Sequence, residues 1–204
     1  VEACRKMTDL FNLRGDDLTI ARSNSRAVNQ FPHEWRMATY SFNYLPMLNE
    51  SGKIDTQQAK LPAHLDMVEK IKEADEPIAL VMTGPLTDLA RALDVDPDIE
   101  KNIEKLYWMG GSLDGHGNVA MVNADGSQEW NSFWDPYAVK RVFESNIPIQ
   151  MVGLESTEEL PLNDELRQHW ASLRKYPAMD LIGQGYSLIV SIPSAELYLW
   201  DVLT

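Results

Sequence analysis

The sequence predicts an α/β fold with a mainly parallel sheet and helices on both of its faces. Three apolar runs of strand length support this class, at positions 78–82, 106–109 and 147–154. Apolar residues at helical spacing precede, separate and follow these runs. Strands that alternate with helices build parallel sheets with crossover helices, so this order predicts a sheet covered on both sides.

The first elements follow one another in a regular order. Leu65, Val68 and Ile71 mark one face of a helix directly before the strand at 78–82. The tripeptide TGP ends that strand. The next helix is marked by apolar residues at helical spacing, namely Leu86, Leu89, Ala90 and Leu93.

The second part of the chain repeats this order. The strand at 106–109 ends at two glycines. Asp135 followed by Pro136 is typical of a helix N-cap with proline at the first helical position, and the strand at 147–154 comes next. A last helix is marked by Leu166, Trp170 and Leu173. We therefore predict a single domain over residues 1–204.

The composition limits the classes of function. The chain has 204 residues, of which 44% are hydrophobic, so one domain can bury a sizeable core. A net charge of -13 argues against nucleic acid as a partner and favours a neutral ligand or a cation. No apolar run approaches the ~18 residues of a membrane span. The one cysteine, Cys4, excludes an internal disulfide framework and a cysteine-rich zinc site.

Residues 107–136 follow neither the helical nor the strand period. The stretch reads YWMGGSLDGHGNVAMVNADGSQEWNSFWDP and predicts a long polar loop from 112 to 134. Ordered loops of this length usually carry function. Thr83, Met109 and Glu155 each end or follow a predicted strand, and ligands of parallel sheets bind beyond the carboxyl ends of the strands. We therefore expect one pocket at this edge.

Three polar residues of the loop indicate the chemistry of a ligand. Asn118, Glu129 and Asn131 offer two amides and a carboxylate, which suit the vicinal hydroxyls of a sugar. The alternative is that both asparagines only hold their own loops and that Glu129 lies on the surface. Trp35 and Trp200 stand in polar contexts, where flat rings can stack on a heteroaromatic base, although a lone tryptophan is more often part of a core.

Several separated motifs resemble the nucleoside hydrolase family, in the same order and at similar separations. They are VMTGPLTDLA, YWMGG, HGN, EWN, WDP and LYLWDVLT. The pair Trp200-Asp201, together with VNQFPHEWR, is most similar to the purine-preferring branch that cleaves inosine, adenosine and guanosine. The resemblance implies a Rossmann-like core and a nucleoside as the small-molecule substrate.

The resemblance also implies roles for single residues. Thr83 would give its backbone carbonyl to a bound calcium ion (Ca²⁺) and Asp201 a carboxylate. The ribose pocket and the base platform would be formed by Met109, Asn118, Glu129, Asn131, Trp35, Trp200 and Trp130.

The implied reaction is hydrolysis of the N-glycosidic bond of purine ribonucleosides in purine salvage, by a water that calcium activates. The departing purine needs a proton, and stacking on Trp200 could favour the protonated base. His116 is the rival acid. All four histidines, His33, His64, His116 and His169, are expected to be exposed to solvent.

One departure from the family is large. The aspartate cluster DxDxxxDD, which supplies the other calcium ligands and the general base, does not occur in this sequence. We interpret Asp16-Asp17 as a turn. The resemblance therefore implies a partial domain that lacks the first strand region and the C-terminal end. We expect no catalytic residue in these 204 residues and no activity of this chain alone.

Two other functions stay open. The chain could be a degenerate relative that binds nucleosides or sugars without cleaving them, or a hydrolase of pyrimidine nucleosides or nicotinamide riboside. The resemblance further implies a homo-oligomer, a dimer or a tetramer. We expect a cytoplasmic protein, and the charge and the lack of a long apolar run predict no nucleic-acid or membrane partner.

Overall fold

The computed structural model describes residues 1–13, 18, 20–121, 123–190 and 196–204. The described residues form strands β1 to β5 at Ile20–Arg22, Gln58–Pro62, Ile78–Met82, Ile103–Met109 and Ile149–Val152. Their helices α1 to α9 lie at Glu2–Leu10, His33–Phe42, Ala63–Glu73, Thr87–Val95, Trp130–Trp134, Pro136–Phe143, Leu154–Thr157, Asp164–Ser172 and Pro177–Val190. The pair Asp16-Asp17, predicted to form a turn, lies outside the described residues.

The chain divides into two compact units. The first contains Val1–Arg22, Phe31–Ala59 and Pro161–Tyr198. The second contains Ser23–Gln30, Lys60–Leu160 and Leu199–Thr204. The single domain expected from the sequence stays a prediction.

The second unit is built on a parallel sheet. Its strands lie in the order β3, β4, β5, and both pairs are parallel. The register places Trp108 beside Met82 on one neighbouring strand and beside Met151 on the other. The predicted α/β class and the parallel sheet are therefore confirmed.

Three strand bounds differ from the predicted ones, and one of them is the start of β5, at Ile149 rather than at residue 147. β4 begins at Ile103 rather than at residue 106, because the polar residues Glu104 and Lys105 interrupt the apolar run without ending the strand. β5 ends at Val152, since Leu154 already begins α7. Polar residues inside a strand and a helix that starts at an apolar residue both hide a boundary from hydropathy alone.

One face of this sheet shares a core with α3, α4 and α6. Leu106 and Trp108 of β4 are 0% and 1% exposed, and Leu89 and Leu93 of α4 are fully buried against the same cluster. Burial of one such leucine stabilises the fold by ~1.5–3 kcal/mol. Asp135 caps α6 by accepting a hydrogen bond from the Ala138 N–H, as the sequence predicts.

The other face of the sheet carries exposed side chains in the part of the chain that the structure describes. Val81 of β3 is 62% exposed, and Ala79 and Gln150 are also exposed. Lys105 lies above the ring of Tyr107 on this face, 5.4 Å from its centroid. Helix cover on both faces therefore stays a prediction, whereas cover on one face is observed.

The first unit contains α1, α2, α8 and α9. The predicted helix around Trp170 is confirmed as α8, and the Trp170 ring packs 5.9 Å from the ring of Tyr186 in α9. β1 pairs with β2 in a two-stranded sheet. A cavity of about 830 Å³ is lined mainly by apolar and aromatic residues of α1, α2 and α9. Within the described ranges, no helix has the length and apolar character needed to cross a membrane.

Candidate functional site

The carboxyl ends of β4 and β5 are joined by backbone hydrogen bonds. Gly110 N–H donates to the Val152 carbonyl at 3.2 Å, and Leu154 N–H donates to the Gly111 carbonyl at 3.1 Å. Gly111 has a φ of 75°, a left-handed conformation that favours glycine. These bonds fix the starting point of the loop that leaves β4, at the edge where the sequence predicts the pocket.

Glu129 is the centre of this loop. Its side chain is 3% exposed and accepts hydrogen bonds from three backbone N–H groups. The donors are Gly111 at 2.8 Å, Asn131 at 2.9 Å and Ser132 at 3.0 Å. Glu129 therefore caps α5, a short helix inside the predicted loop, and ties it to the end of β4. The alternative that Glu129 is a surface residue is wrong.

Asn131 connects α5 to the last residue of β4. Its Nδ2 donates to the backbone carbonyl of Met109 at 3.0 Å and lies 3.2 Å from the Met109 sulfur. Both residues are buried, at 7% and 2% exposure. The Asn131 Oδ1 has no hydrogen-bond partner in the part of the chain that the structure describes.

Asn118 approaches α5 from the other side. Its Oδ1 accepts a hydrogen bond from the Trp130 N–H at 3.1 Å, and its own N–H donates to the Gln128 carbonyl at 2.9 Å. Gly117 allows this close approach, because a Cβ there would lie 2.3 Å from the Gln128 nitrogen. The Asn118 Nδ2 has no partner among the described residues.

The structure thus brings four predicted pocket residues together. They are Met109, Asn118, Glu129 and Asn131. Each asparagine holds its loop with one amide atom, as the alternative interpretation proposes. The second amide atom of each keeps its capacity for one further hydrogen bond. Holding the loop and binding a ligand are therefore compatible in this arrangement.

The turn after β3 is fixed by two contacts. Trp108 Nε1 donates to the Gly84 carbonyl at 3.0 Å, which anchors the turn that contains the exposed Thr83. Thr87 Oγ1 donates to Asp135 Oδ2 at 2.8 Å, and both side chains are buried. Asp135 therefore has a second role beyond its cap, because it connects this turn to the end of α5.

Asp201 lies at the same end of the second unit. It belongs to a 3-10 turn at Trp200–Leu203 that packs against α7, the helix directly after β5. Desolvation by surrounding protein, and then the negative charge of Glu129, raises the pKa of Asp201 above its usual value. The side chain nevertheless keeps contact with solvent. Among the described residues, the causes of this shift include the carboxylate of Glu129 and no positively charged group.

The predicted calcium ligands give only a partial fit. The Thr83 carbonyl and the Asp201 carboxylate are hard oxygen donors, whereas calcium takes about six to eight. Within the described parts of the chain, no group of three or more His, Cys, Asp or Glu residues could hold a metal ion. These residues therefore do not form a calcium site by themselves.

The predicted tryptophans have different surroundings. Trp130 is half-buried and packs against Phe133 and Trp134, with ring centroids 5.7 and 5.5 Å away. Trp200 is half-buried in the second unit. Trp35 belongs to the first unit, is 43% exposed and makes an edge contact with Phe31 at 5.9 Å. Their stacking on a base stays a prediction.

Glu155 anchors the beginning of the loop. It accepts hydrogen bonds from the N–H groups of Asp114 and Leu113 and from the Ser112 hydroxyl. The bond from Asp114, followed by the N–H of Glu155 itself and the other two donors, lowers the pKa of Glu155 to about 2. The carboxylate is therefore ionised at neutral pH.

Three of the four histidines are exposed, as expected. His116 is one of them, and its Nε2 lies 3.4 Å from the carboxylate of Glu158. The expectation is wrong for His64, which is 5% exposed in the first turn of α3. Desolvation, with a smaller effect of the Arg91 charge, lowers the pKa of His64, so this histidine is neutral.

One polar residue of the site lies in the motif VNQFPHEWR, but the sequence assigns it no role there. Asn29 donates from Nδ2 to the Phe133 carbonyl at 2.5 Å and from its backbone N–H to the Trp134 carbonyl at 2.9 Å. Asn29 lies 104 positions before Phe133 and outside any helix or strand. Hydrophobic periodicity cannot identify a contact of this kind.

The fold and these contacts define a class of protein. It is an α/β protein whose polar side chains gather beyond the carboxyl ends of a parallel sheet, where such folds bind ligands. The family described as inosine-uridine preferring nucleoside hydrolase matches residues 15–203. The chain belongs to this family and is thereby classed with the N-ribohydrolases.

Known structures agree with this assignment. The chain is 48% identical to the inosine-uridine preferring nucleoside hydrolase from Bacillus anthracis, with a TM-score of 0.90. That match covers 99% of this chain and 65% of the Bacillus chain. A purine-preferring ribonucleoside hydrolase from Gardnerella vaginalis has a TM-score of 0.70 at 24% identity over 100% of this chain and 64% of its own, which shows the fold alone.

A curated relative points in a different direction from the purine-preferring branch. The pyrimidine-specific ribonucleoside hydrolase RihA of Shewanella woodyi is 41% identical over 99 residues, which is 48% of this chain and 30% of RihA. The more similar relatives are therefore described as inosine-uridine preferring or pyrimidine-specific. The predicted family is confirmed, whereas the predicted purine-preferring branch finds no support beyond the fold.

Proposed function

We propose that the natural protein containing this chain hydrolyses the N-ribosidic bond of ribonucleosides, and that residues 107–136 bind the ribose. We call the three side chains proposed to contact the sugar, Asn118, Glu129 and Asn131, the ribose grip. The observation that carries the proposal is the joined arrangement of Asn118, Glu129 and Asn131 at the end of β4. A buried carboxylate lies beside two amides, each of which keeps one polar atom for a further hydrogen bond, and this set suits a pair of neighbouring hydroxyl groups.

The geometry suggests how these side chains act. Asn118 Nδ2 donates to one ribose hydroxyl, and Asn131 Oδ1 accepts from another. Glu129 cannot turn away from the sugar, because three backbone N–H groups hold its carboxylate. As the bond to the base breaks, positive charge develops on the ribose ring. A fixed negative charge in a buried site stabilises that charge more than mobile water does.

For the base, we propose that the protein accepts both inosine and uridine. The proposal rests on the 48% identity with the Bacillus anthracis enzyme, which is described by that pair of substrates. The purine preference expected from Trp35 and Trp200 is the competing proposal. Replacement of Trp200 by Ala distinguishes them: a purine-preferring enzyme loses inosine cleavage selectively, whereas a mixed enzyme loses inosine and uridine cleavage to similar degrees.

The proposal includes a bound calcium ion, for which this chain supplies two of the ligands. The Thr83 carbonyl and the Asp201 carboxylate would contribute to its shell, and further oxygen donors are needed to complete it. Calcium titration by calorimetry on the natural protein and on its D201N variant tests this point. Equal affinity in both proteins contradicts a role for Asp201.

The central experiment is a substrate panel. The natural protein is incubated with inosine, guanosine, uridine and nicotinamide riboside, with calcium or with a chelator, and released ribose is measured. We expect cleavage of inosine and uridine that the chelator abolishes, and no cleavage by the 204-residue chain alone. Release of ribose from none of the four substrates refutes the proposal.

A matched pair of variants links the activity to the site. N131A removes an amide at the carboxyl end of β4, whereas N102A removes an amide that bonds the Ile71 carbonyl before the opposite end of that strand. We expect N131A to lower kcat/KM by ~10–100-fold and N102A to leave it unchanged. Binding of inosine without cleavage favours the non-catalytic relative instead. The predicted homo-oligomer is tested on the same preparation by analytical ultracentrifugation.

A further inference from the structure

The segment Ser23–Gln30 contacts α5, inside the loop that carries the ribose grip, but contains no predicted pocket residue. It has no regular secondary structure, and it belongs to the second unit together with α4 and α5. Its end near α5 carries Asn29, which makes two hydrogen bonds to the last carbonyls of that helix. These contacts connect two parts of the sequence that are more than a hundred residues apart.

The helix that Asn29 contacts, α5, is too short to be stable without contacts from outside the helix. α5 has five residues, Trp130–Trp134, and isolated helices of that length are unstable in water. The last four carbonyls of any helix lack partners inside the helix. In α5, Asn29 supplies donors to the carbonyls of Phe133 and Trp134, while Glu129 accepts from the N–H groups at the other end.

The other end of the segment is attached to a rigid support. Ser25 Oγ donates to Asp88 Oδ1 at 2.5 Å. Arg91 Nη1 donates to Asn24 Oδ1 at 2.8 Å and to Ser25 Oγ at 2.6 Å. Asp88 and Arg91 belong to α4, whose leucines are fully buried in the core. The position of Asn29 is therefore set by the core of the unit.

From these contacts we infer that Asn29 is a positioning residue for the ribose grip. It fixes the C-terminal end of α5 to the α4 support and so sets the orientation of Asn131 and Glu129 at the other end. The inference rests on the proposed function, because the grip it positions is assigned there. Asn29 itself touches neither the pocket amides nor the carboxylate through a hydrogen bond.

A matched pair of asparagines tests the inference. N29A removes the donor to the Phe133 carbonyl, and N102A removes a donor to the Ile71 carbonyl before the opposite end of β4. Amide hydrogen exchange of residues 130–135 should be faster in N29A than in N102A and the parent. N29D is a second variant of nearly equal size, and its carboxylate would face carbonyl oxygens, so it should be at least as disturbed as N29A.

The decisive readout is the preference for the ribose hydroxyls. In the natural protein, kcat/KM is measured for inosine and for 2′-deoxyinosine, which lacks one hydroxyl. Displaced ribose-binding side chains lose more contacts with inosine than with 2′-deoxyinosine, so the ratio of the two values should fall about five- to tenfold in N29A and stay constant in N102A. General loss of stability lowers both values together and leaves the ratio unchanged.

A double variant supplies an independent check. If Asn29 acts through α5, N29A should add little to the ratio already lost in N131A, because coupled residues are not additive. A ratio in N29A equal to that of the parent overturns the inference, even if exchange of α5 is faster. So does full additivity with N131A.

The experiment separates this inference from the proposed function. If the parent binds inosine without cleaving it, the proposed hydrolysis fails. Calorimetric affinities for the two nucleosides then replace kcat/KM, and a smaller preference for inosine in N29A still supports the positioning role. If the parent neither binds nor cleaves inosine, both proposals are refuted. Cleavage by the parent together with an unchanged ratio in N29A refutes the positioning role alone.

Discussion

The candidate site has one side around Glu129 and another around Asp201, and the two differ in how many of the required contacts this chain supplies. Around Glu129, backbone donors, a buried asparagine and a capped helix form a closed network with short contacts. Around Asp201, one partly desolvated carboxylate faces the charge of Glu129, and the turn with Thr83 is exposed. The first side is preorganised by this chain, whereas the second needs further oxygen donors before it can hold a cation.

This difference has an electrostatic cause. The Glu129 carboxylate is stabilised by three N–H dipoles, so its burial is compensated. For Asp201, burial and the neighbouring charge both disfavour the ionised form, and they raise its pKa. We therefore expect replacement of Glu129 to lower the stability of the fold, and replacement of Asp201 to leave the stability equal or to raise it slightly.

The largest expected effect comes from Glu129. E129A leaves three backbone N–H groups without their acceptor and removes the charge proposed to stabilise the ribose cation. We expect kcat/KM on inosine to fall by ~100–1000-fold and the free energy of unfolding to fall by ~1–3 kcal/mol. Steady-state kinetics and urea denaturation measure the two quantities.

The control for this prediction is E100A. Glu100 also accepts two hydrogen bonds, from the backbone and the side chain of Asn146, and it precedes β4 at the opposite edge of the sheet. Its replacement should leave kcat/KM unchanged. If E129A and E100A reduce activity to the same degree, the assignment of Glu129 to the ribose is wrong.

Replacement of Asp201 should lower activity in the natural protein without lowering the stability of the fold. D201N removes a carboxylate that is partly desolvated and repelled by Glu129, so the thermal midpoint of the 204-residue chain should stay equal or rise slightly. In the natural protein, the same change should lower calcium-dependent activity by at least ~10-fold, because a neutral amide is a weaker ligand for a hard cation. Scanning calorimetry and a calcium titration of activity test the two parts.

A fall in thermal midpoint as large as that of E129A would contradict the contrast between the two sides. The matched control is D98N, since Asp98 is exposed and pairs with Lys101 outside the site. Its activity and calcium dependence should be those of the parent.

Sequence reasoning was accurate where a local rule applies. The cap at Asp135, the parallel strands and the helices on either side of β3 follow from capping residues and apolar spacing. The gathering of Met109, Glu129 and Asn131 follows from strand ends at a common edge, strengthened by the family motifs. These features depend on neighbours within a few positions of the chain or on a general property of parallel sheets.

What the sequence could not predict depends on distant partners. α5 carries Trp130, Phe133 and Trp134 at helical spacing, but a helix of five residues is too short to be recognised from that spacing alone. It forms because Glu129 and Asn29 satisfy its two ends. Burial of His64 depends on packing of α3 against α4, which no single-residue rule reveals. The exposed Val81 also contradicts its hydropathy, because the cover of that face is a tertiary property.

A smaller effect is expected where the two sides are joined. T87V keeps the shape of Thr87 but removes the hydroxyl that donates to Asp135 in a buried contact. We expect a loss of ~1–3 kcal/mol in the free energy of unfolding, measured by urea denaturation. T39V is the control, because Thr39 is exposed and its hydroxyl bonds the Arg36 carbonyl within one helix. Equal losses in both variants would show that the Thr87 contact has no special weight.

The smallest effect concerns Glu155 at the start of the loop. Its pKa is lowered from 4.5 to about 2 in the folded protein, so its contribution to stability is present above pH 4.5 and is lost as the pH falls towards 2. The group is largely exposed, so solvent screening keeps this contribution small. Hydrogen-exchange protection factors of residues 112–116, corrected for the intrinsic exchange rate at each pH and compared between pH 6 and pH 3, should report the release of the loop.

E155Q isolates this effect, since glutamine keeps an acceptor oxygen but does not titrate. The variant should show faster exchange of the loop at pH 6 and a smaller change between pH 6 and pH 3 than the parent. Exchange in α5 should change little, because Glu129 and Asn29 hold that helix independently of Glu155. An equal acid response in E155Q and the parent would assign the loop's pH dependence to other carboxylates, with Asp114 the first to test because it accepts from the His116 N–H.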